Sequence, residues 1–240
     1  MSAPVVVQAR AKLTLSLRIT GVRADGYHLI DSEMVTVDLA DVLQLGEGDS
    51  FTVTGLGAGR EVPAGDENLV QRALRLVGRK AAVVLDKRIP TGGGLGGGSA
   101  DAAAVLRWAG VDDAEVAASL GADVPFCLAG GRARVTGIGE VIEPLPFEVV
   151  RGRSYTLVVP PLAVSTVEVY RAWDALGGPA GEHGNDLEPA ALVVAPELAR
   201  WRDRLGEATG EVPQMAGSGA TWFVPGAHEG PGLTVVTVDR

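Results

Sequence analysis

The sequence is short of several things, and each shortage closes off a class of protein. One cysteine in 240 residues excludes an internal disulfide framework. That residue, Cys127, lies in the apolar run VPFCLA, where a buried structural thiol is expected. No apolar run approaches the roughly 20 residues that cross a bilayer. The opening residues MSAPVVVQARAK show no basic patch leading into an apolar segment, so no secretory signal is expected and the default compartment is cytoplasmic. Positive charge is also scarce, with 21 Lys and Arg against 30 Asp and Glu and a net charge of -9. Such a surface repels nucleic acid and anionic membrane, which leaves a small-molecule substrate as the expected partner for a monomer or homodimer. No repeat or long low-complexity tract is visible.

A net-negative chain has no global attraction for a polyphosphate. Such a ligand must be held by backbone N–H groups, a helix N-terminus, single lysines and a divalent metal. Glycine-rich turns are therefore the places to search.

Along the chain, Ala11, Leu13, Leu15, Leu17 and Ile19 alternate with Lys12, Thr14, Ser16 and Arg18, the pattern of a half-buried strand that puts Lys12 and Thr14 on one face. GVRADGY is a turn signal, and MVTVDLADVLQL resumes strand alternation. Residues 69–77 follow helical spacing, and AAVVLDKRIP reads as a buried strand ended by Pro90. SADAAAVLRWAG predicts a helix closed by Gly110, and DAEVAASLG a shorter one. RARVTGIGEVIEPL resembles a hairpin. Beyond PLPFEVVRGR come a strand (SYTLVVP), a helix (TVEVYRAWDAL), a helical pair after Asn185 and closing strands at TWFVP and LTVVTVD. The expected fold class is α+β in two lobes, residues 1–150 and 151–240.

Six glycines fall within the seven positions Gly92 to Gly98, with Leu95 inserted, directly before the alanine-rich helix. A backbone this free can approach a ligand closely, and the helix start adds unpaired N–H groups and a positive dipole end. Ser99, expected at or near the N-cap, can cap the helix or offer its hydroxyl to a phosphate or metal. The P-loop pattern fails because Ser99 stands in the lysine position. A dinucleotide pattern is formally met by Gly92, Gly94 and Gly97, with Asp112 or Asp113 about 20 residues on. That match is weak, because so many glycines satisfy it almost automatically and the aspartates follow a helix end instead of a second strand.

Preceded by Pro90 and followed by SADAAA, the loop Gly92, Gly93, Gly94, Leu95, Gly96, Gly97, Gly98 resembles motif two of the GHMP kinase superfamily, approximately PxGxGLGSSAA. AKLTL at Ala11 to Leu15 resembles motif one, and AGSGAT at Ala216 to Thr221, with Gly217, Ser218 and Gly219, resembles motif three. Further stretches, among them DGYH, NLVQRAL, GADVPFCLAGG, VSTVEVY and NDLEP, are similar to the 4-diphosphocytidyl-2-C-methyl-D-erythritol kinases of the non-mevalonate isoprenoid pathway, in order and over nearly the whole chain. This resemblance implies a lobe like ribosomal protein S5 domain 2, a ferredoxin-like lobe, and ATP with Mg²⁺ in the cleft between them.

The resemblance also implies residue roles. Asp123 would be the base that accepts the acceptor hydroxyl's proton, and Lys12 the cation beside that hydroxyl; a turn aspartate and a solvated edge lysine are the plainer readings. Tyr27 and Tyr170 would stack on a cytosine whose edge His28 reads. Asn68 and Lys87 would line the adenine pocket, with helix-cap and strand-edge roles open to them. The family usually carries asparagine where this chain has Thr14, which loses an amide's paired donor and acceptor. Other readings stay open here: a GHMP kinase for homoserine, mevalonate or a sugar, or a nucleotide-binding relative without turnover.

Overall fold

Two long strands set the frame. The computed structural model, which describes residues 3–55, 62, 65 and 67–240, opens on β1 (Val5–Val22) and β2 (His28–Gly46). They pair antiparallel across the 23–27 turn, where Arg23 N–H donates to the Tyr27 carbonyl at 2.7 Å. β3 (Ser50–Thr54), β4 (Ala82–Asp86), β5 (Arg132–Gly137) and β6 (Val141–Pro144) complete a six-stranded sheet. β1 runs along one edge of β2. The other edge is shared, with β5 against residues 30–35 and β4 against residues 42–46.

Four helices accompany this sheet: α1 (Leu69–Leu76), α2 (Gly97–Ala109), α3 (Ala114–Leu120) and α4 (Val124–Ala129). α2 is buried from Ala100 to Leu106. Its alanines let neighbours approach closely, and with Val105 and Leu106 they form one apolar cluster with Leu43, Leu45, Val83 and Leu85 from the sheet. α1 is capped by Asn68, whose Oδ1 accepts from Val70 N–H at 2.8 Å, and α3 by Asp113. That cap explains the aspartate which had completed the weak dinucleotide pattern.

The chain continues through β7 (Ser154–Val158), α5 (Thr166–Ala175), α6 (Glu188–Val194), α7 (Leu198–Thr209), β8 (Gln214–Met215), β9 (Trp222–Pro225) and β10 (Thr234–Thr237). Its four strands form a second sheet in the order β10-β7-β9-β8. The two sheets meet through a shared apolar cluster in which Ala11, Leu13, Val35 and Val37 pack with Leu157, Phe223, Val236 and Val238. Polar contacts reinforce the junction: Thr237 N–H donates to Asp38 at 2.8 Å and Arg10 pairs with Asp239 at 2.7 Å.

Three expectations are corrected. From Ala11 to Thr14 the first strand is covered on both faces, not half-buried: Ala11 and Leu13 face the junction core, while Lys12 and Thr14 are buried on the other side, 4% and 1% exposed; beyond Thr14 it is half-buried as expected, with Arg18 exposed. The strand expected to reach Pro90 leaves the sheet after Asp86, because Asp41 Oδ1 accepts from Arg88 N–H at 2.6 Å and Ile89 N–H at 2.8 Å in place of a strand partner. Ser99 is not the cap of α2; Gly96, with φ 69°, occupies that position, and Ser99 is the third helical residue. β3, β8 and α4 are additions.

Candidate active site

A cavity of about 670 Å³ opens over β1, on the face opposite the junction core. Its floor is β1, with Lys12, Thr14 and Leu17. Gly92, Gly94, Gly96 and Ser99 form one wall, Gly217, Ser218 and Gly219 another, and Asp123 projects from the start of α4. Tyr27, His28, Tyr170, Arg171 and Asp174 line the remaining side.

The glycine loop lies against β1 and leaves no room for a side chain at Gly94 or Gly96. A Cβ on Gly96 would come within 2.8 Å of Lys12 Cγ, and the Lys12 N–H donates to the Leu95 carbonyl at 3.0 Å. A Cβ on Gly94 would meet the Ala216 and Gly219 carbonyls at 2.7 Å each. Both residues also have positive φ, so glycine is required twice over. Gly93 faces away from the cavity and its carbonyl accepts from Thr221 N–H at 3.2 Å. Leu95 packs in the junction core; Pro90, Gly97 and Gly98 are likewise outside the cavity lining.

Lys12 Nζ donates to Thr14 Oγ1 at 3.0 Å and lies 3.6 Å from Asp123 Oδ2. Asp123 holds the N-cap position of α4, yet its side chain makes no capping hydrogen bond. It is turned toward Lys12 and the cavity instead. The plain reading of Lys12 as a solvated edge lysine therefore fails, whereas Asp123 does sit in a turn at a helix start but leaves its carboxylate free of any capping bond. Neighbouring Cys127 is buried, and burial, followed by the charge of Asp123, pushes its thiol up to about 12, so it is inert.

At the aromatic end, the His28 ring sits 4.7 Å from that of Tyr170 and edge-on to Trp173 at 5.5 Å. His28 Nε2 is 2.7 Å from Asp174 Oδ1, which leaves Nδ1 for a ligand. Burial, with a smaller contribution from Asp123, pushes the Tyr170 hydroxyl up to about 12 and keeps it neutral. Tyr27 is exposed at the rim, under the Arg23 guanidinium.

Asn68 and Lys87 do not line this cavity. Asn68 caps α1. Lys87, 2% exposed, is enclosed by Asp41, with which it makes a short ion pair, and Asp101 at 3.0 Å. A strand-edge lysine is thus excluded.

A model of the GHMP kinase N-terminal domain matches residues 68–131. The 4-diphosphocytidyl-2-C-methyl-D-erythritol kinase of Paracoccus denitrificans (strain Pd 1222) is 41% identical over 90% of this chain and 84% of its own. That of Rhodopseudomonas palustris (strain ATCC BAA-98 / CGA009) is 38% identical over 90% and 86%. The crystal structure of a 4-(cytidine 5'-diphospho)-2C-methyl-D-erythritol kinase superposes with TM-score 0.72 at 34% identity, covering 91% of this chain and 89% of that one. The chain belongs to the 4-diphosphocytidyl-2-C-methyl-D-erythritol kinase family. The mevalonate kinase of Methanococcus jannaschii, at 11% identity and TM-score 0.65, shares the mixed α/β fold with its two sheets.

Membership in this kinase family gives meaning to residues that sequence reasoning passed over. Thr166, Tyr170 and Asp174 recur every four residues on α5, so they share one helical face, and Trp173 lies beside them. The signal was present in TVEVYRAWDAL, but only Tyr170 was taken from it. Thr166 Oγ1 is also 2.8 Å from Ser218 Oγ, which joins this helix to the third motif.

Proposed function

We infer that the chain transfers the terminal phosphoryl group of ATP to the 2-hydroxyl of 4-diphosphocytidyl-2-C-methyl-D-erythritol. The observation that carries this reading is the Thr14, Lys12, Asp123 arrangement, set where an anion-binding loop and an aromatic pocket open into one cavity. The acceptor oxygen attacks the γ-phosphorus, the bond to the β,γ-bridging oxygen breaks, and ADP leaves. Asp123 takes the hydroxyl proton. Lys12 lies beside that carboxylate and balances charge on the transferring oxygens. The open start of α2 and the loop around Gly94 and Gly96 hold the phosphates through backbone N–H groups. Tyr27 and Tyr170 offer ring faces to the cytosine, and His28 reads its edge.

Among the described residues, no three His, Cys, Asp or Glu side chains gather as a metal site. Ser99, whose hydroxyl borders the cavity beside the loop, fits a cation that arrives on the nucleotide. Mg²⁺ held there by phosphate oxygens and the Ser99 hydroxyl would neutralise phosphate charge.

The test is ATP consumption by the purified protein against a panel of alcohols with and without the cytidyl-diphosphate group. Turnover confined to the cytidyl-diphosphate alcohol is expected. Faster turnover of an uncytidylated alcohol would reject the assignment, and ATP binding without transfer to any of them would reject catalysis.

A further inference from the structure

The NDLEP segment is not among the parts assigned above to bind or react, yet it joins two of them. Asn185, 2% exposed, lies in the loop before α6. Its Nδ2 donates to the Met215 carbonyl at 2.7 Å and the Gly217 carbonyl at 2.7 Å, while Oδ1 accepts from Leu187 N–H at 2.9 Å. Two carbonyls on one side and an N–H on the other allow only one orientation of the amide. No other side chain of this length supplies two donors and an acceptor in that arrangement.

The same loop is fixed to β1. Leu17 N–H donates to the Gly184 carbonyl and Asp186 N–H to the Leu17 carbonyl, both at 2.9 Å. The Asp186 carboxylate accepts from Ile19 N–H at 2.9 Å, Gly181 N–H at 3.0 Å and the Arg18 guanidinium at 2.6 Å. Gly181 permits this tight turn, since a Cβ there would overlap the Asn185 carbonyl oxygen. The Gly217 turn, in its place, faces the reacting groups: a Cβ at Gly217 would be 3.4 Å from Lys12 Nζ and 3.8 Å from Thr14 Oγ1.

We propose that Asn185 is a positioning residue for phosphoryl transfer, setting the distance between the 215–219 turn and the strand that carries Lys12. Asp186 fixes Asn185 to that strand. Asn185 does not line the cavity, so its effect passes through the turn. Misplacement of about 1 Å is enough to cost about 100-fold in rate. The proposal rests on the activity inferred above.

The experiment measures kcat and acceptor KM for Asn185→Ala and Asn185→Asp, with thermal melts as a check on folding. Asn185→Ala is expected to lower kcat about 100-fold while acceptor KM moves less than about 3-fold, because the Gly217 turn lies directly against Lys12 and Thr14 and touches the aromatic helix only through the Ser218–Thr166 hydroxyl pair. In Asn185→Asp a carboxylate faces two carbonyls at neutral pH; once protonated it donates to one of them. The kcat ratio of Asn185→Asp to wild type should therefore rise as pH falls. Arg18, Asp186, Lys12, His183 and Glu188, the charged and titratable groups nearby, are common to both proteins and cancel in the ratio. If Asn185→Ala does not fold, the pH ratio of Asn185→Asp decides alone. An unchanged kcat in folded Asn185→Ala, a loss carried by KM, or a flat ratio would each overturn the proposal. The ratio is taken on whichever alcohol the wild type phosphorylates, so a wrong acceptor and a wrong role for Asn185 fail separately.

Discussion

Lys12 and Lys87 are both buried beneath the glycine loop, and adjacent glycines cover them. A Cβ on Gly96 would strike Lys12 Cγ at 2.8 Å; one on Gly97 would reach Lys87 Nζ at 3.0 Å. Their surroundings differ. Lys87 is closed in by Asp41 and Asp101, with Asp41 also bonded to two backbone N–H groups. Lys12 has one hydroxyl at 3.0 Å and one carboxylate at 3.6 Å that is itself 36% exposed to the cavity. A buried cation enclosed by two carboxyl groups holds the loop in place. A buried cation with coordination to spare faces the site where substrate charge arrives.

The comparison is tested most sharply by removing each partnership. Asp123→Ala takes away the proposed base and leaves Lys12 bonded to Thr14, so kcat is expected to fall about 10³-fold. The melting temperature should stay near wild type, since Asp123 is partly exposed and its side chain makes no capping hydrogen bond. Retention of full activity would remove Asp123 from the mechanism. Lys87→Met should do the reverse. It strands two buried carboxylates, and loss of one partner from a buried ion pair costs about 3–5 kcal/mol. Urea unfolding measures this; a variant within about 1 kcal/mol of wild type would show that the ion triad does not hold the loop.

A smaller effect is expected at the aromatic end, which neither lysine reaches. Tyr170→Ala removes a ring face, and stacking is worth about 1–3 kcal/mol per base. Acceptor KM should rise about 10-fold or more while ATP KM stays level. A rise in ATP KM instead would place the nucleotide at this end.

Much of this contrast was legible in the sequence, but unevenly. The loop and its helix were legible from the local spacing of glycines and alanines, whereas Lys12 and Asp123 became candidates only through the family resemblance of the motifs that contain them. The position of Lys87 was legible from neither. Its partners Asp41 and Asp101 are 46 and 14 residues away and meet only because β2 leaves a gap between β4 and β5 at residues 36–41. α4 was missed because six apolar residues are too few to show helical period. Asn185 was visible only as part of a recognised string; its three partners lie in the turn around Gly217 and at the start of α6, and tertiary contact alone reveals its role.

The expected effect that is smallest at neutral pH separates the two carboxylates of Lys87. Burial pushes the Asp101 carboxyl up to about 7, against the pull of Lys87, with Asp41 adding to the rise, and its Oδ1 has no hydrogen-bond partner. The unfolded chain releases this proton near pH 4, and the folded protein keeps it until near pH 7. Between those values the folded state binds more protons, so this group's contribution to stability falls as pH rises and is lost above about pH 7. Asp101→Asn keeps the shape and leaves Lys87 paired with Asp41, so its stability at neutral pH should be close to wild type. The difference lies in the slope. The stability of Asp101→Asn relative to wild type should increase from pH 4 to pH 7 and then level off, as read by urea unfolding across that range. A difference independent of pH would mean that Asp101 is already ionised at pH 4 in the folded protein and that Lys87 is held by two full charges.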